Sequence, residues 1–218
     1  GVPKMMRKRD YLADMSGQIG MNLVANVIGQ LTYFYTDKVG LAVGGVGVVM
    51  LISKIVDALT DLWFGNVIDH SKGGNRKYYR WLLRLMIPYV IVVVMLFCVP
   101  IQAGQIPALI YACITNILLS AVCGILIGTP MSAVMVVRTN SQSERESMGV
   151  FRAVGSYGAG MFTAIVTIPL TNILGGTQIA WIKYGFIIAL IVLLMLSICY
   201  INGRNAKLVE EVKDETEE

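Results

Sequence analysis

Six apolar segments recur along the chain, at about 15–36, 45–68, 81–101, 108–137, 148–174 and 181–202. Each is long enough for one α-helix to cross the roughly 30 Å hydrocarbon core of a bilayer. Gly-rich or Pro-containing turns separate alternate segments, at 40–45, 102–107 and 175–178. The remaining breaks are a basic loop at 69–80 and a polar loop at 138–147. The pattern predicts an all-α membrane protein of six transmembrane helices, spanning 15–202, with a basic arm at 1–14 and an acidic tail at 203–218. The tail reads as solvated, because its charge density forbids a packed core.

Polar positions inside these segments are not scattered. In the first, Gln18, Asn22, Asn26 and Gln30 recur every four residues and share one helix face. Amides facing lipid would leave hydrogen-bonding groups unsatisfied, so this face should meet protein or water. Four bulky amides point to a lined cavity over close helix packing. Asn116, Ser120, Gly124, Gly128 and Ser132 repeat the spacing in the fourth segment, where a cavity wall and a packing face fit equally well. The fifth is rich in small residues, from Gly149 to Ala164, a device for close packing that also suits a sliding helix.

Composition agrees with the pattern. Of 218 residues, 56% are hydrophobic and only 15% charged, where a soluble domain carries about a quarter. The start, basic and followed by a polar-flecked helix, shows no cleavable signal peptide. The four cysteines lie in apolar stretches without metal-ligand spacing and read as packing residues, and His70 as a solvated loop residue. No nucleophile–base pair or phosphate-binding loop argues for an enzyme. Of the 18 Lys and Arg residues, all but Lys38, Lys54 and Lys183 lie on the arm, the tail and the loops after even-numbered segments, or at their edges. The positive-inside rule then places both termini in the cytoplasm, as an even number of spans requires. A bacterial inner membrane is the expected location.

Three charges break the second apolar run: Lys54, Asp57 and Asp61. On a helix they fall within roughly a 60° sector. Charges at bilayer depth cost at least a few kcal/mol each unless paired, hydrated or holding an ion. The stripe therefore reads as an inward-facing polar site, or as a Lys54–Asp57 pair that locks packing. Arg152, near the inner end of the fifth segment, either holds an anionic or hydroxylated solute or snorkels to the surface.

Several stretches resemble a known family. The run from Gly65 to Lys77, Gly-Asn-Val-Ile-Asp-His-Ser-Lys-Gly-Gly-Asn-Arg-Lys, is similar to the loop between spans 2 and 3 of the major facilitator superfamily. More narrowly, residues 33–41 (YFYTDKVGL), 54–61 (KIVDALTD), 77–81 (KYYRW), 129–134 (TPMSAV) and the set Thr139, Glu144, Arg145, Arg152 resemble the N-terminal half of the glycoside–pentoside–hexuronide:cation symporters. The resemblance implies half of a major-facilitator fold, built from two three-helix repeats, and cation-coupled symport of a sugar or related solute by alternating access. It implies that Asp57 and Asp61, with Thr60 between them, bind the coupling Na⁺ or H⁺, with Lys54 as their charge partner in place of an arginine. No other cofactor or metal is implied. Gly65, Asp69, Arg76, Lys77 and Arg145 would form a cytoplasmic latch.

Departures from the family pattern bear on the solute. Gln18 stands where an aspartate that holds sugar hydroxyls is usual. Gly128 and Ser132 stand where the melibiose permease has an aspartate and a tryptophan. Arg152 is kept. A galactoside is therefore in doubt, and Gln18, Asn22 and Asn26 offer neutral hydrogen-bonding groups instead. Family members have twelve spans with the solute between halves, so a six-helix unit needs its cavity face covered. Expected partners are a second copy, or a separate chain supplying the other half, besides lipid and a small solute; nucleic acid is not among them. The alternative function is a non-transporting scaffold or regulatory subunit that kept the fold and lost the pathway.

Overall fold

The computed structural model describes residues 4–217, which are mostly helical and contain no strand. Its long helices are α1 (Lys8–Tyr33), α2 (Val43–Asp69), α3 (Lys77–Met95), α4 (Gln105–Arg138), α5 (Gln142–Ile173) and α6 (Gln178–Asn205). A short helix, α7 (Val209–Glu217), follows. Among the described residues, α2 to α6 are long and apolar enough to cross a membrane. The 26-residue α1 is long enough but carries the amide ladder and two acids.

α1 begins at Lys8, well before the expected boundary at 15, because its early acids are satisfied inside the protein. The Asp10 carboxylate accepts the Arg7 backbone N–H at 2.8 Å, closing the first turn. At its other end α1 runs into π-type turns, Phe34–Val39, stopped by Gly40 at φ 86°. α3 ends at Met95, short of the expected 101, ahead of Val99 and Pro100. A residue before proline is pushed out of helical geometry.

The packing partners reveal an internal symmetry. α1 packs most extensively on α5 and α6; α4 packs on α2 and α3; α3 packs on α6. Exchanging α1 with α4, α2 with α5 and α3 with α6 returns the same set of pairs. Two three-helix repeats therefore build the bundle, which is half of a major-facilitator fold. The α3–α6 seam is closed by glycine: a Cβ on Gly185 would stand 2.5 Å from the Phe97 ring. Gly203 sits equally tight against Tyr79. The symmetry-related α2 and α5 are the least buried spans, with Leu59, Leu62, Trp63, Val150, Val154, Tyr157 and Met161 exposed.

Candidate transport site

The acidic stripe of α2 meets the middle of α4. There the α4 backbone opens into π-type turns over Ile117–Gly124, a distortion often found at functional sites. The widened turns serve two α2 side chains. Ser120 Oγ donates to Asp57 Oδ1 at 2.9 Å. Thr60 Oγ1 lies 2.7 Å from Val56 O and 3.3 Å from Ala121 O. A hydroxyl that donates its hydrogen to a carbonyl keeps oxygen lone pairs for a cation.

One turn further, Asp61 is exposed and makes no hydrogen bond or ion pair among the described residues. It lines a cavity of about 340 Å³, whose walls also include Gln18, Gly128, Thr129, Ser132 and Arg152. Five residues singled out in the sequence, from four different helices, thus face one space. Lys54 is not drawn in. It is exposed and forms no ion pair within 4.0 Å among the described residues, so the expected Lys54–Asp57 pairing is absent.

Arg152 neither snorkels nor stands free. Its Nε and Nη2 donate to the two carboxylate oxygens of Asp14 at 2.7 and 2.8 Å, and Nη2 also donates to Met131 O at 3.0 Å. The Asp14 side chain is 2% exposed and that of Arg152 12%. This bidentate geometry is the strong form of the interaction. Asp14 was assigned to the arm by composition, yet it lies four residues before Gln18. Asp10 lies four before that, so the ladder begins two rungs earlier than its amides.

Asn22 and Asn26 do not line the cavity. Asn22 Nδ2 donates to Ser156 Oγ at 3.0 Å, and Asn26 Nδ2 to Asn22 O at 2.7 Å. Gln30 Nε2 donates to Thr167 Oγ1 at 3.0 Å. The amide face is thus a seam with α5 above Gln18. It closes because α5 offers small residues: a Cβ on Gly155 would come within 2.8 Å of Met15. Bulky amides do permit close approach when the facing helix offers small and hydroxyl side chains.

The loop residues act as helix caps. Lys77 Nζ donates to Asp69 O at 2.6 Å, at the carbonyl end of α2. Arg145 Nε donates to Thr139 O at 3.0 Å, just past α4. Cations at helix C-termini complement unpaired carbonyls and the dipole. Gly65 lies within α2 against Thr129 of the cavity wall. The Asp69 carboxylate is exposed, with no ion pair among the described residues, so it does not meet neighbouring helix ends as expected.

Arg76 instead fastens the tail. Its Nε and Nη2 donate to Glu211 at 2.7 and 2.9 Å, while Nη1 and Nη2 donate to Arg204 O and Ala206 O. The acidic tail is therefore a docked helix with a solvated surface. Hydrogen bonding from Arg76 holds the Glu211 carboxyl below its ordinary value of 4.5. A depressed carboxylate stabilises docking above that value, and the contribution disappears as pH falls through the folded pKa. Acidification through that depressed value therefore loosens α7. Glu211→Gln releases it at neutral pH, raising amide exchange across 209–217; unchanged exchange in that variant refutes the fastening.

Comparison with known proteins decides the family. A family model described as MFS/sugar transport protein matches residues 13–218. The chain belongs to the MFS/sugar transport protein family. It is similar to the inner membrane symporter YicJ of Escherichia coli, at 29% identity over 80% of this chain and 38% of that protein. It is 30% identical to the putative glycoside/cation symporter YagG of the same organism, over 78% of this chain and 37% of that one. The isoprimeverose transporter of Lactiplantibacillus pentosus is 28% identical over 93% of this chain and 42% of its own length. These relatives fit the glycoside–pentoside–hexuronide:cation symporters, a family of transporters and not enzymes. The chain spans about two fifths of the relatives' length, in keeping with one six-helix half. Together with five apolar membrane-length helices, the family makes this a multi-pass membrane protein.

Proposed function

We propose that this unit performs cation-coupled symport of a sugar or related small solute by alternating access. The observation that carries the reading is Asp61, a carboxylate without a hydrogen-bond or ion-pair partner among the described residues, on the wall of the cavity that Gln18, Ser132 and Arg152 share. Asp57 sits one turn away, held by Ser120. Two carboxylates and the Thr60 hydroxyl supply hard oxygen ligands for Na⁺. A proton on one carboxylate serves equally, so the coupling ion is Na⁺ or H⁺. The printed names of the relatives, a glycoside/cation symporter and a transporter of isoprimeverose, support the same class.

Gln18, Ser132 and the free N–H groups of Arg152 face the solute. Because Arg152 is already balanced by Asp14, a neutral polyhydroxy solute fits better than a sugar acid. The exposed faces of α2 and α5 suit contact with a second six-helix unit that completes the path, whether it belongs to a second copy, a separate chain or a longer form of this one. Both termini and the 69–80 loop face the cytoplasm of an inner membrane, following the basic residues.

The test is uptake of a labelled glycoside by proteoliposomes with and without an imposed Na⁺ or H⁺ gradient. Symport requires faster accumulation with one gradient than without. Uptake equal under all gradients overturns coupling, and absent uptake favours the scaffold reading.

A further inference from the structure

A second cavity lies at the end of the bundle that carries the N-terminal segment, far from Asp61 in its lining. It has a volume of about 1000 Å³, between the first turn of α1, the end of α6 and the start of α7. Lys4, Arg7, Arg9, Arg138 and Lys207 line it, against one acid, Asp10. That acid is spent: it accepts from Asn202 Nδ2 at 2.8 Å and from the Arg7 backbone, and Arg138 Nη2 lies 3.4 Å away. Lys207 is balanced by Glu215 at 3.0 Å. Lys4, Arg7 and Arg9 form no ion pair among the described residues, so the cavity carries a net positive charge.

Positive residues at a membrane surface are ordinary, but two features here are not. Arg138 is 2% exposed, and its Nε is buried without a hydrogen-bond partner, although Nη1 donates to Tyr79 and Asn202. Buried donors are nearly always satisfied, which sets Arg138 apart among the residues that line this cavity. The cavity also has an apolar side: Ile198 and Ile201 of α6 line it and are 41% and 53% exposed. A soluble anion has no use for that wall. A lipid does, with its phosphate among the guanidinium groups and its acyl chains along α6. Basic pockets between helices at a membrane face are where anionic headgroups bind.

We infer that this cavity is a binding site for an anionic phospholipid, its phosphodiester held by Arg7, Arg9 and Arg138. The inference is independent of the transport site and of which ion couples transport. Its test is lipid retention by the chain extracted from nanodiscs of phosphatidylcholine with or without phosphatidylglycerol, read by native mass spectrometry. The result expected is selective phosphatidylglycerol adducts, weakened about thirtyfold by Arg7→Gln with Arg9→Gln, from two surface charges at about 1 kcal/mol each. Arg84→Gln, elsewhere on the surface, leaves them unchanged. Adducts equal for the two lipids, or unaffected by the double change, overturn the site. So does displacement of the lipid by millimolar inorganic phosphate, which assigns the pocket to a soluble anion. Melting temperatures in phosphatidylcholine alone separate loss of lipid from loss of fold.

Discussion

Asp61→Asn abolishes the stimulation of solute uptake by a cation gradient while leaving membrane insertion intact. Asparagine keeps the shape and one acceptor oxygen but removes the charge that attracts Na⁺ or accepts H⁺. Asp61 makes no hydrogen bond or ion pair among the described residues that the change would break, and it borders a cavity of about 340 Å³. The fold is therefore expected to survive within about 0.5 kcal/mol, as for exposed sites generally. A gradient moves a transport cycle only through differential affinity of its states for the ion, so a site with no ion affinity has no coupling. Gradient-stimulated uptake falls to about the unstimulated rate. Persisting stimulation in this variant removes Asp61 from the coupling site. Asp57→Asn has a second effect, since it also weakens the bond from Ser120 that ties α2 to α4.

The second large effect is on stability. Asp14→Asn leaves the Arg152 guanidinium in a largely buried place with its partner's negative charge gone and one of the two acceptor oxygens lost. Breaking a buried ion pair from one side costs about 3–5 kcal/mol, and the open cavity beside Arg152 places this case at the lower end. For a chain of this size that lowers the melting temperature by roughly 6–12 °C. Removing both charges, Asp14→Asn with Arg152→Gln, is milder than the single change, because no lone charge remains. A double variant that melts as low as the sum of its singles contradicts a coupled pair. The single change also leaves Arg152 with an uncompensated positive charge at the cavity, which favours sugar acids over neutral sugars.

What could be read from the chain follows from which signals are local. Six spans were legible because each is a run of apolar residues with its own turn. Asp57 and Asp61 were legible because charge in such a run is costly and stands out. The partner of Arg152 was not, for a different reason. Asp14 sits 138 residues away, in a stretch whose basic composition reads as an arm, and only extension of the four-residue ladder back to Asp14 and Asp10 would have exposed it. The direction of Asn22 and Asn26 was hidden as well. It depends on small residues of α5, and nothing in the spacing of α1 tells which helix lies opposite. The tail's docking rests on one guanidinium meeting one carboxylate across 135 residues, a pairing that composition does not carry. The π-type turns in α4 have no dependable sequence signature, yet they set Ser120 and the Ala121 carbonyl against α2.

The central claim is that Asp57 and Asp61 hold the coupling ion, and direct titration of the purified protein tests it most closely. Melting temperature measured against Na⁺, Li⁺ and pH should rise with saturation for at least one of these ions, since a ligand bound only by the folded state stabilises it. That rise should vanish in the variant carrying Asp57→Asn and Asp61→Asn together, with K⁺ as the inert control. An ion-dependent rise of equal size in the double variant would place the ion elsewhere and contradict the account.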